Sequence, residues 1–157
     1  MVKAKKITPV KSMLKEESPL RVLVKAGMQA IEAGHRAYFD KAIRESFVDS
    51  LELDEAVRNG HEQENRWDYL LGHEPTGDVV AVEPHSAKND EISTVIRKKS
   101  AAKLQLEAHL VNGKKVKKWL WVASGKVHFA DTDKARRLLD QAGIKFVGTK
   151  VTGKDLS

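Results

Sequence analysis

The amino-acid sequence predicts an α/β fold, because segments with strand patterns alternate with segments of helical periodicity. Residues 69–71 and 79–82 are short apolar runs separated by glycine and proline, a pattern typical of two strands joined by a tight connection. Residues 92–110 and 132–142 place apolar side chains at three- and four-residue steps, which is typical of helices. We therefore expect helices, two strands, a long helix, a strand, a helix and a last strand, in that order.

The length and composition are those of a soluble protein with one domain. The chain has 157 residues, of which 41% are hydrophobic and 32% are charged. No apolar run approaches the roughly 18 residues of a membrane span, and the N-terminus lacks the apolar core of a signal peptide. The absence of cysteine excludes disulfides and thiolate metal sites. We expect a cytoplasmic protein that does not associate with membranes.

The charge of the chain points to the class of partner. The formal net charge is +6 and the isoelectric point is about 9.5. This balance favours a polyanionic partner such as a nucleic acid, although a solvated basic surface accounts for the charge equally well. The sequence gives no indication of the oligomeric state.

The two ends of the chain differ from its middle. Residues 1–19 contain five lysines before Glu16, two prolines and no sustained apolar period, which predicts a flexible basic arm, either free or partly ordered against the body. This arm is either a nucleic-acid-binding tail or a frayed terminus. We assign residues 20–151 to a single folded domain and residues 152–157 to a polar tail.

Two helical patterns precede the strand pair. The apolar residues of segment 20–38 recur mostly at three- and four-residue steps, and Ser18-Pro19 is a suitable helix start. A second pattern occupies residues 39–57 and ends at Asn59-Gly60. We therefore predict two helices in this part of the chain.

A carboxylate lies at one end of each predicted strand of the pair. Asp68 opens the first strand and Glu83 closes the second. If the strands pair as a hairpin, the start of the first lies beside the end of the second, so the two carboxylates meet at one edge of the sheet. Such an arrangement of oxygen ligands suits a hard divalent cation such as Mg²⁺.

The long helix that follows carries a lysine on its apolar side. Lys99 lies seven residues after Ile92 and therefore falls within the apolar stripe. Its amine either extends to solvent along the helix surface or is directed at the acidic end of the sheet.

The last third of the chain predicts a buried strand at 119–122, a turn at 124–125, a short strand or extended loop at 126–130, and a final strand at 144–151. Asp131 is the predicted N-cap of the helix at 132–142.

These residues carry a resemblance to a known family. The W-D-x-L-L motif at 67–71, the fourteen residues between Asp68 and Glu83, the Val-Glu-Pro-His motif at 82–85 and the order of elements resemble the PD-(D/E)XK superfamily of restriction-endonuclease-like nucleases. The resemblance covers residues 20–150. It implies a mixed central sheet with helices on both faces, and metal-dependent hydrolysis of phosphodiester bonds in DNA or RNA.

The resemblance also implies roles for individual residues. Asp68 and Glu83 would be ligands of Mg²⁺ or Mn²⁺. The sequence departs from the family pattern at His85, where the family has lysine. His85 would act as a base near neutral pH or as a third metal ligand. Alternatively, Lys88 or Lys99 supplies the missing amine. We therefore expect Asp68, Glu83, His85 and Lys99 to form the catalytic group.

Three functions are consistent with this departure. The first is a metal-dependent nuclease. The second is a nuclease-like module that binds nucleic acid without cutting it, and the third is a protein-interaction module in which the charge is incidental.

Overall fold

The computed structural model describes residues 7–127 and 133–157. Within these residues, six strands form one mixed sheet flanked by helices, which confirms the predicted α/β class. The strands are β1 (Lys25–Ala26), β2 (Phe47–Glu52), β3 (Tyr69–His73), β4 (Asp78–Ala87), β5 (Lys118–Val127) and β6 (Ile144–Phe146). Their order in the sheet follows the chain. Strands β1 to β4 are antiparallel, whereas β4, β5 and β6 are parallel.

The helices of the described residues are α1 (Pro9–Met13), α2 (Lys41–Arg44), α3 (Leu53–Val57), α4 (Ile92–Glu107) and α5 (Asp133–Ala142). Short 3₁₀ turns occur at Arg21–Leu23, Ala33–Tyr38, Asn89–Glu91 and Gly153–Asp155. In this part of the chain, no helix is both long enough and apolar enough to cross a membrane. The predicted N-cap Asp131 and residues 128–130 of the predicted strand or loop lie outside the described ranges.

The predicted hairpin is confirmed. Strands β3 and β4 pair antiparallel, with Tyr69 opposite Val82 and His73 opposite Asp78. The Gly77 N–H donates to the His73 carbonyl at 2.9 Å and closes the turn. Gly77 has a φ of +70°, a conformation that glycine adopts without steric cost. Local turn chemistry therefore sets the register of this strand pair.

Helix α4 connects β4 to β5, and the helix predicted over 92–110 is confirmed at Ile92–Glu107. Because β4 and β5 run parallel, the chain has to return across a face of the sheet between them, and α4 makes this return. The connection places α4 above β4 and β5, where its buried side chains pack on the sheet.

Both faces of the sheet are buried. Trp119 and Trp121 belong to the apolar cluster on the face that α4 covers, whereas Leu120 and Val122 belong to a second cluster on the opposite face. Strands that are buried on both faces read as continuous apolar runs instead of alternating ones. This explains the unbroken run of apolar residues in β5.

The chain ends are more ordered than predicted. Val10 and Leu14 are buried, and the N–H groups of Val10 and Lys11 donate to the carboxylate of Asp49 on β2. The described part of the predicted basic arm over 1–19 is ordered against the body, because apolar side chains attach α1 and the residues beside it to the sheet. Residues 1–6 lie outside the described ranges. The predicted polar tail at 152–157 contains the buried Leu156, which packs on the second cluster.

The predicted helix over 20–38 is wrong. Two buried apolar residues of this segment face different sides of the sheet, since Leu20 belongs to the cluster under α4 and Ile31 to the opposite cluster. A helix packs on one face of a sheet, so a single helix could not place side chains in both clusters. The backbone instead pairs with β2, where the Gly27 N–H donates to the Val48 carbonyl at 2.9 Å. Two 3₁₀ turns and the short strand β1 replace the helix.

The predicted helix over 39–57 is also wrong in its centre, because residues 47–52 form strand β2 between the short helices α2 and α3. Five consecutive residues of β2, Phe47 to Leu51, are buried. The segment is buried on both faces although it contains the polar residues Asp49 and Ser50, so it lacks the alternation of a half-buried strand. Its apolar residues Phe47 and Leu51 are four apart, a spacing that also suits a helix.

Two boundaries near the C-terminal end also differ from the prediction. Strand β5 continues through the predicted turn at 124–125, with Gly125 at a φ of +125° and a shift in the β4–β5 register between His85 and Ala87. Between these pairs β4 advances by two residues and β5 by four, so the bulge inserts two residues into β5 without ending the strand. The last strand ends at Phe146, and Val151 forms a single bridge with Phe39.

Candidate active site

Asp68 and Glu83 meet at the edge of the β3–β4 hairpin, as the sequence predicts. Asp68 directly precedes β3, and the hairpin register places it opposite Glu83 on β4. The backbone N–H of Asp68 donates to Oε1 of Glu83 at 2.9 Å. The Glu83 side chain is 1% exposed. The sheet therefore holds the two acidic residues together, with one of them almost completely buried.

The alternation of β4 explains why Glu83 points toward helix α4. Val79 and Ala81 belong to the apolar cluster under α4, and Val80 and Val82 belong to the opposite cluster. Side chains alternate between the faces of a strand, so the next odd-numbered residue, Glu83, also lies on the α4 face. A carboxylate at this position is removed from solvent by the helix and needs a polar partner.

That partner is Lys98. Its amine lies 2.5 Å from Oε2 of Glu83, and its side chain is 16% exposed. Together with the Asp68 N–H, it gives each oxygen of Glu83 a hydrogen-bond donor. The ion pair is largely buried, so it fixes the position of the amine relative to the strand.

Lys99, the predicted catalytic lysine, lies elsewhere. Its amine donates to the carbonyl of Ala142 at the end of α5 and lies 5.5 Å from the centre of the Trp119 ring. A cation at this position balances the negative end of the α5 dipole. Burial, and then the charge of Lys103, lowers the pKa of Lys99. The prediction that Lys99 supplies the amine at the carboxylates is therefore wrong. The amine beside Glu83 belongs to the preceding residue, Lys98.

His85 lies between two carboxylates. Its Nδ1 is 3.7 Å from Oε2 of Glu83, and its Nε2 is 2.9 Å from Oε2 of Glu91, in the 3₁₀ turn before α4. Glu83 and Glu91 raise the pKa of His85 against the opposing effect of burial. The same contact with His85 lowers the pKa of Glu91. Through these two contacts, His85 connects β4 to the start of α4.

Asp68 is the most perturbed acid of the site. Burial, followed by the negative charge of Glu83, raises the pKa of Asp68 to about 7, although Lys98 opposes this shift. Within the described residues, the Asp68 carboxylate accepts no hydrogen bond. A divalent cation beside Asp68 would favour its charged form and relieve the repulsion from Glu83.

Strand β4 accommodates Pro84 because the neighbouring strand β3 does not extend far enough to pair with it. The Val79 carbonyl accepts from Lys117, so odd-numbered residues of β4 direct their backbone groups toward β5 and even-numbered residues direct theirs toward β3. β3 begins at Tyr69, opposite Val82, and Pro84 lies beyond it. Its missing N–H therefore removes no bond of the ladder.

The two carboxylates are the oxygen ligands of this site that a divalent cation could use. The described residues contain no group of three or more His, Asp or Glu side chains arranged to hold a metal. Mg²⁺ commonly keeps several water ligands and binds through one or two carboxylates, which is the number of carboxylates present at this edge. Asp68 has unused oxygen acceptors, whereas Glu83 would share its oxygens with Lys98 and the Asp68 N–H.

Sequence reasoning missed two residues of the site, Lys98 and Glu91. The buried residues of α4 include Val95, Ala102 and Gln105, and Lys98 continues their three- and four-residue spacing. Lys99 fits the apolar stripe about as well, so the pattern does not choose between the two lysines. Lys88, the other lysine considered, is exposed. Glu91 carries no sequence signal that separates it from other acidic residues near a helix start.

Comparison of the chain with family models, curated proteins and solved structures found no match.

Proposed function

We propose that the protein is a divalent-metal-dependent nuclease with a restriction-endonuclease-like fold. The observation that carries this proposal is the cluster of Asp68, Glu83 and Lys98 at the end of the hairpin, with the Lys98 amine 2.5 Å from Glu83. Two acids and an amine are the chemical groups that the PD-(D/E)XK motif supplies. Here the amine comes from helix α4 instead of from position 85.

The arrangement of elements supports the same proposal. The resemblance implies that the Asp and the acid of the triplet lie on consecutive strands of a mixed sheet, followed by a helix and further strands. In this protein, Asp68 precedes β3, Glu83 lies on β4, and α4 then leads to the parallel strands β5 and β6. The net charge of +6 is favourable for a nucleic-acid substrate.

The residues of the site have distinct roles in this proposal. Asp68 and Glu83 hold Mg²⁺ or Mn²⁺. When bound, such an ion neutralises charge on the phosphoryl oxygens and lowers the pKa of a coordinated water. Lys98 orients the attacking water and offsets the negative charge of the site. His85 is a positioning residue, since it links β4 to Glu91 at the start of the helix that carries Lys98.

The test is cleavage of labelled DNA and RNA by the purified protein with Mg²⁺ or Mn²⁺. We expect cleavage that EDTA abolishes, and a loss of at least about 100-fold in Asp68→Asn and in Glu83→Gln, since both remove a metal ligand. Glu45→Gln is a matched control because Glu45 is an exposed acid at the end of α2. Activity that survives both site substitutions would contradict the proposal.

The contacts of His85 with two carboxylates favour one alternative, a module that binds nucleic acid without cutting it. Because its two nitrogens face Glu83 and Glu91, the residue at the motif position is not free to serve a reacting phosphate. A module that binds nucleic acid without cutting it would have the same fold and charge. Binding without cleavage under any metal condition would support this second candidate.

A further inference from the structure

A groove lined with lysines lies at the opposite end of β4 from Glu83. Lys114, Lys115 and Lys117, on the loop before β5, line one side of this lysine groove. Ser12 of helix α1 and Asp78 at the start of β4 also line it. Its volume is about 280 Å³. The groove therefore combines three cations and a hydroxyl group in a concave surface.

The loop that carries the lysines is anchored to the body of the protein. Val116, between Lys115 and Lys117, is buried in the apolar cluster under α4. The Lys117 N–H donates to the Val79 carbonyl, and the Lys114 N–H donates to the Val111 carbonyl, both at 2.9 Å. The lysines therefore project from a backbone of defined position.

The positive charge of the groove exceeds the negative charge of the acids that line it. Lys114, Lys115 and Lys117 are exposed, and none of them forms an ion pair within the described residues. Asp78 is the single acidic residue among the described residues that line the groove. An uncompensated cluster of cations attracts a polyanion. Amines and hydroxyl groups are also the side-chain groups that commonly contact phosphate oxygens.

The groove and the candidate active site are aligned along one strand. Val79, which lines the groove, and Glu83 lie on the same face of β4 and are four residues apart. At about 3.3 Å per residue, this separation is about 13 Å along the strand. Phosphates of one strand of B-DNA are spaced 3.4 Å apart along the helix axis. A duplex whose axis runs parallel to β4 therefore has about four phosphates over this distance.

We propose that the lysine groove binds the sugar-phosphate backbone of a nucleic acid, about four nucleotides from the phosphodiester held at Asp68 and Glu83. The phosphodiester contact at Asp68 and Glu83 rests on the proposed function, whereas binding of the backbone in the groove does not require cleavage. A narrow ridge of phosphates can enter a groove. A flat anionic membrane would contact only its rim, so the shape favours nucleic acid.

The experiment compares two variants of the full chain that lose the same charge. The groove variant carries Lys114→Gln, Lys115→Gln and Lys117→Gln. The control variant carries Lys41→Gln, Lys150→Gln and Lys154→Gln, three exposed lysines outside the groove. Binding of a labelled DNA duplex of two helical turns is measured in EDTA over a range of salt concentrations, so that no metal-dependent cleavage occurs.

We expect the groove variant to bind the duplex at least about tenfold more weakly and to reduce the slope of log K against log salt by about 2.7, the value for three lost phosphate contacts. The control variant should stay within about threefold of the wild type. Equal weakening by both variants, no weakening by either, or no binding of DNA by the wild type would overturn the proposal. Loss of binding to phosphatidylserine vesicles with unchanged DNA affinity would overturn it in favour of a membrane.

A small phosphodiester separates this proposal from the nuclease proposal. Bis(p-nitrophenyl) phosphate is too short to span the two sites, so the groove variant should hydrolyse it at the wild-type rate in Mn²⁺. A groove variant that loses this hydrolysis would show damage to the catalytic site and overturn the assignment of the lysines to binding. If the protein hydrolyses neither the diester nor labelled DNA and RNA, the nuclease proposal fails, while the DNA-binding result still decides the role of the groove.

Discussion

The amine of Lys98 lies 2.5 Å from Oε2 of Glu83, whereas the amine of its neighbour Lys99 donates to the carbonyl of Ala142. The two lysines are adjacent in the sequence and belong to the same helix, but they serve different parts of the fold. Lys98 pairs with a carboxylate on the sheet, and Lys99 stabilises the end of α5. This difference provides a matched pair of substitutions.

Lys98→Met should abolish metal-dependent cleavage, and Lys99→Met should leave at least half of it. Methionine retains much of the unbranched side chain, so each variant loses the amine with limited loss of packing. The measurement is the rate of cleavage of labelled DNA in Mg²⁺ at equal concentrations of folded protein. The reverse result, with Lys99→Met inactive and Lys98→Met active, would contradict the role of Lys98.

A lysine at position 85 should partly restore activity to Lys98→Met. His85 lies on the same face of β4 as Glu83, with Nδ1 3.7 Å from Oε2 of Glu83. The double variant Lys98→Met, His85→Lys would therefore present an amine to Glu83 from the strand, as the family motif does. We expect cleavage at least about tenfold above Lys98→Met, a gain of about 1.4 kcal/mol in transition-state stabilisation. His85→Gln in the same background is the control and should restore nothing.

Lys98→Met should also destabilise the fold, because it leaves Glu83 buried without its cation. Removal of one partner of a buried ion pair typically costs about 3 kcal/mol or more. Adding Glu83→Gln should recover most of this loss, since the amide still accepts from the Asp68 N–H and carries no charge. Urea unfolding in EDTA measures both effects. A double variant no more stable than Lys98→Met would show that the buried charge is not the cause.

The stability of the metal-free protein should fall as the pH rises from about 4 to about 7. Burial and the charge of Glu83 raise the pKa of Asp68 from 3.8 to about 7, so the folded protein holds a proton that the unfolded chain releases in this range. Asp68→Asn should flatten this part of the pH profile. The variant should exceed the wild type by at most about 4 kcal/mol at pH 8, at about 1.4 kcal/mol per pH unit.

Urea unfolding of both proteins in EDTA, repeated from pH 4 to pH 8, provides the measurement for Asp68. At the acidic end of the series, the two proteins should differ least, because the wild-type carboxyl is then protonated in the folded state. Parallel profiles for the wild type and Asp68→Asn would exclude Asp68 as the group that titrates.

Gly72→Ala should detach the N-terminal segment from the sheet. A Cβ atom at position 72 would lie 2.0 Å from Oδ1 of Asp49 and 2.8 Å from Cδ of Pro9, closer than real contacts allow. We expect a loss of stability of about 2 kcal/mol and faster proteolysis before β1. Gly34→Ala is the control, because no atom lies within 4 Å of its added Cβ. Equal stability of the two variants would contradict the close packing at Gly72.

The local part of the candidate site could be read from the sequence. The two short apolar runs and the glycines and proline between them predict a hairpin, and the hairpin by itself brings Asp68 beside Glu83. Both signals depend on residues close in the chain, so they do not require knowledge of the rest of the fold.

The segment before the hairpin could not be predicted in the same way. Residues 20–57 supply apolar side chains to both faces of the sheet, with Leu20 on one side and Ile31 on the other. Their spacing imitates a helix, but only the position of the finished sheet decides which face each residue covers. Strand β2 is buried on both faces for the same reason and shows no alternation.

The sequence by itself determined the hairpin, the long helix after it and the pair of carboxylates. The tertiary structure decided which lysine completes the site. Adjacent residues of an α-helix differ by 100° in direction, since 3.6 residues make one turn. The packing of α4 against both the sheet and α5 directs Lys98 to Glu83 and Lys99 to Ala142. The periodicity of α4 alone does not show where those two partners lie.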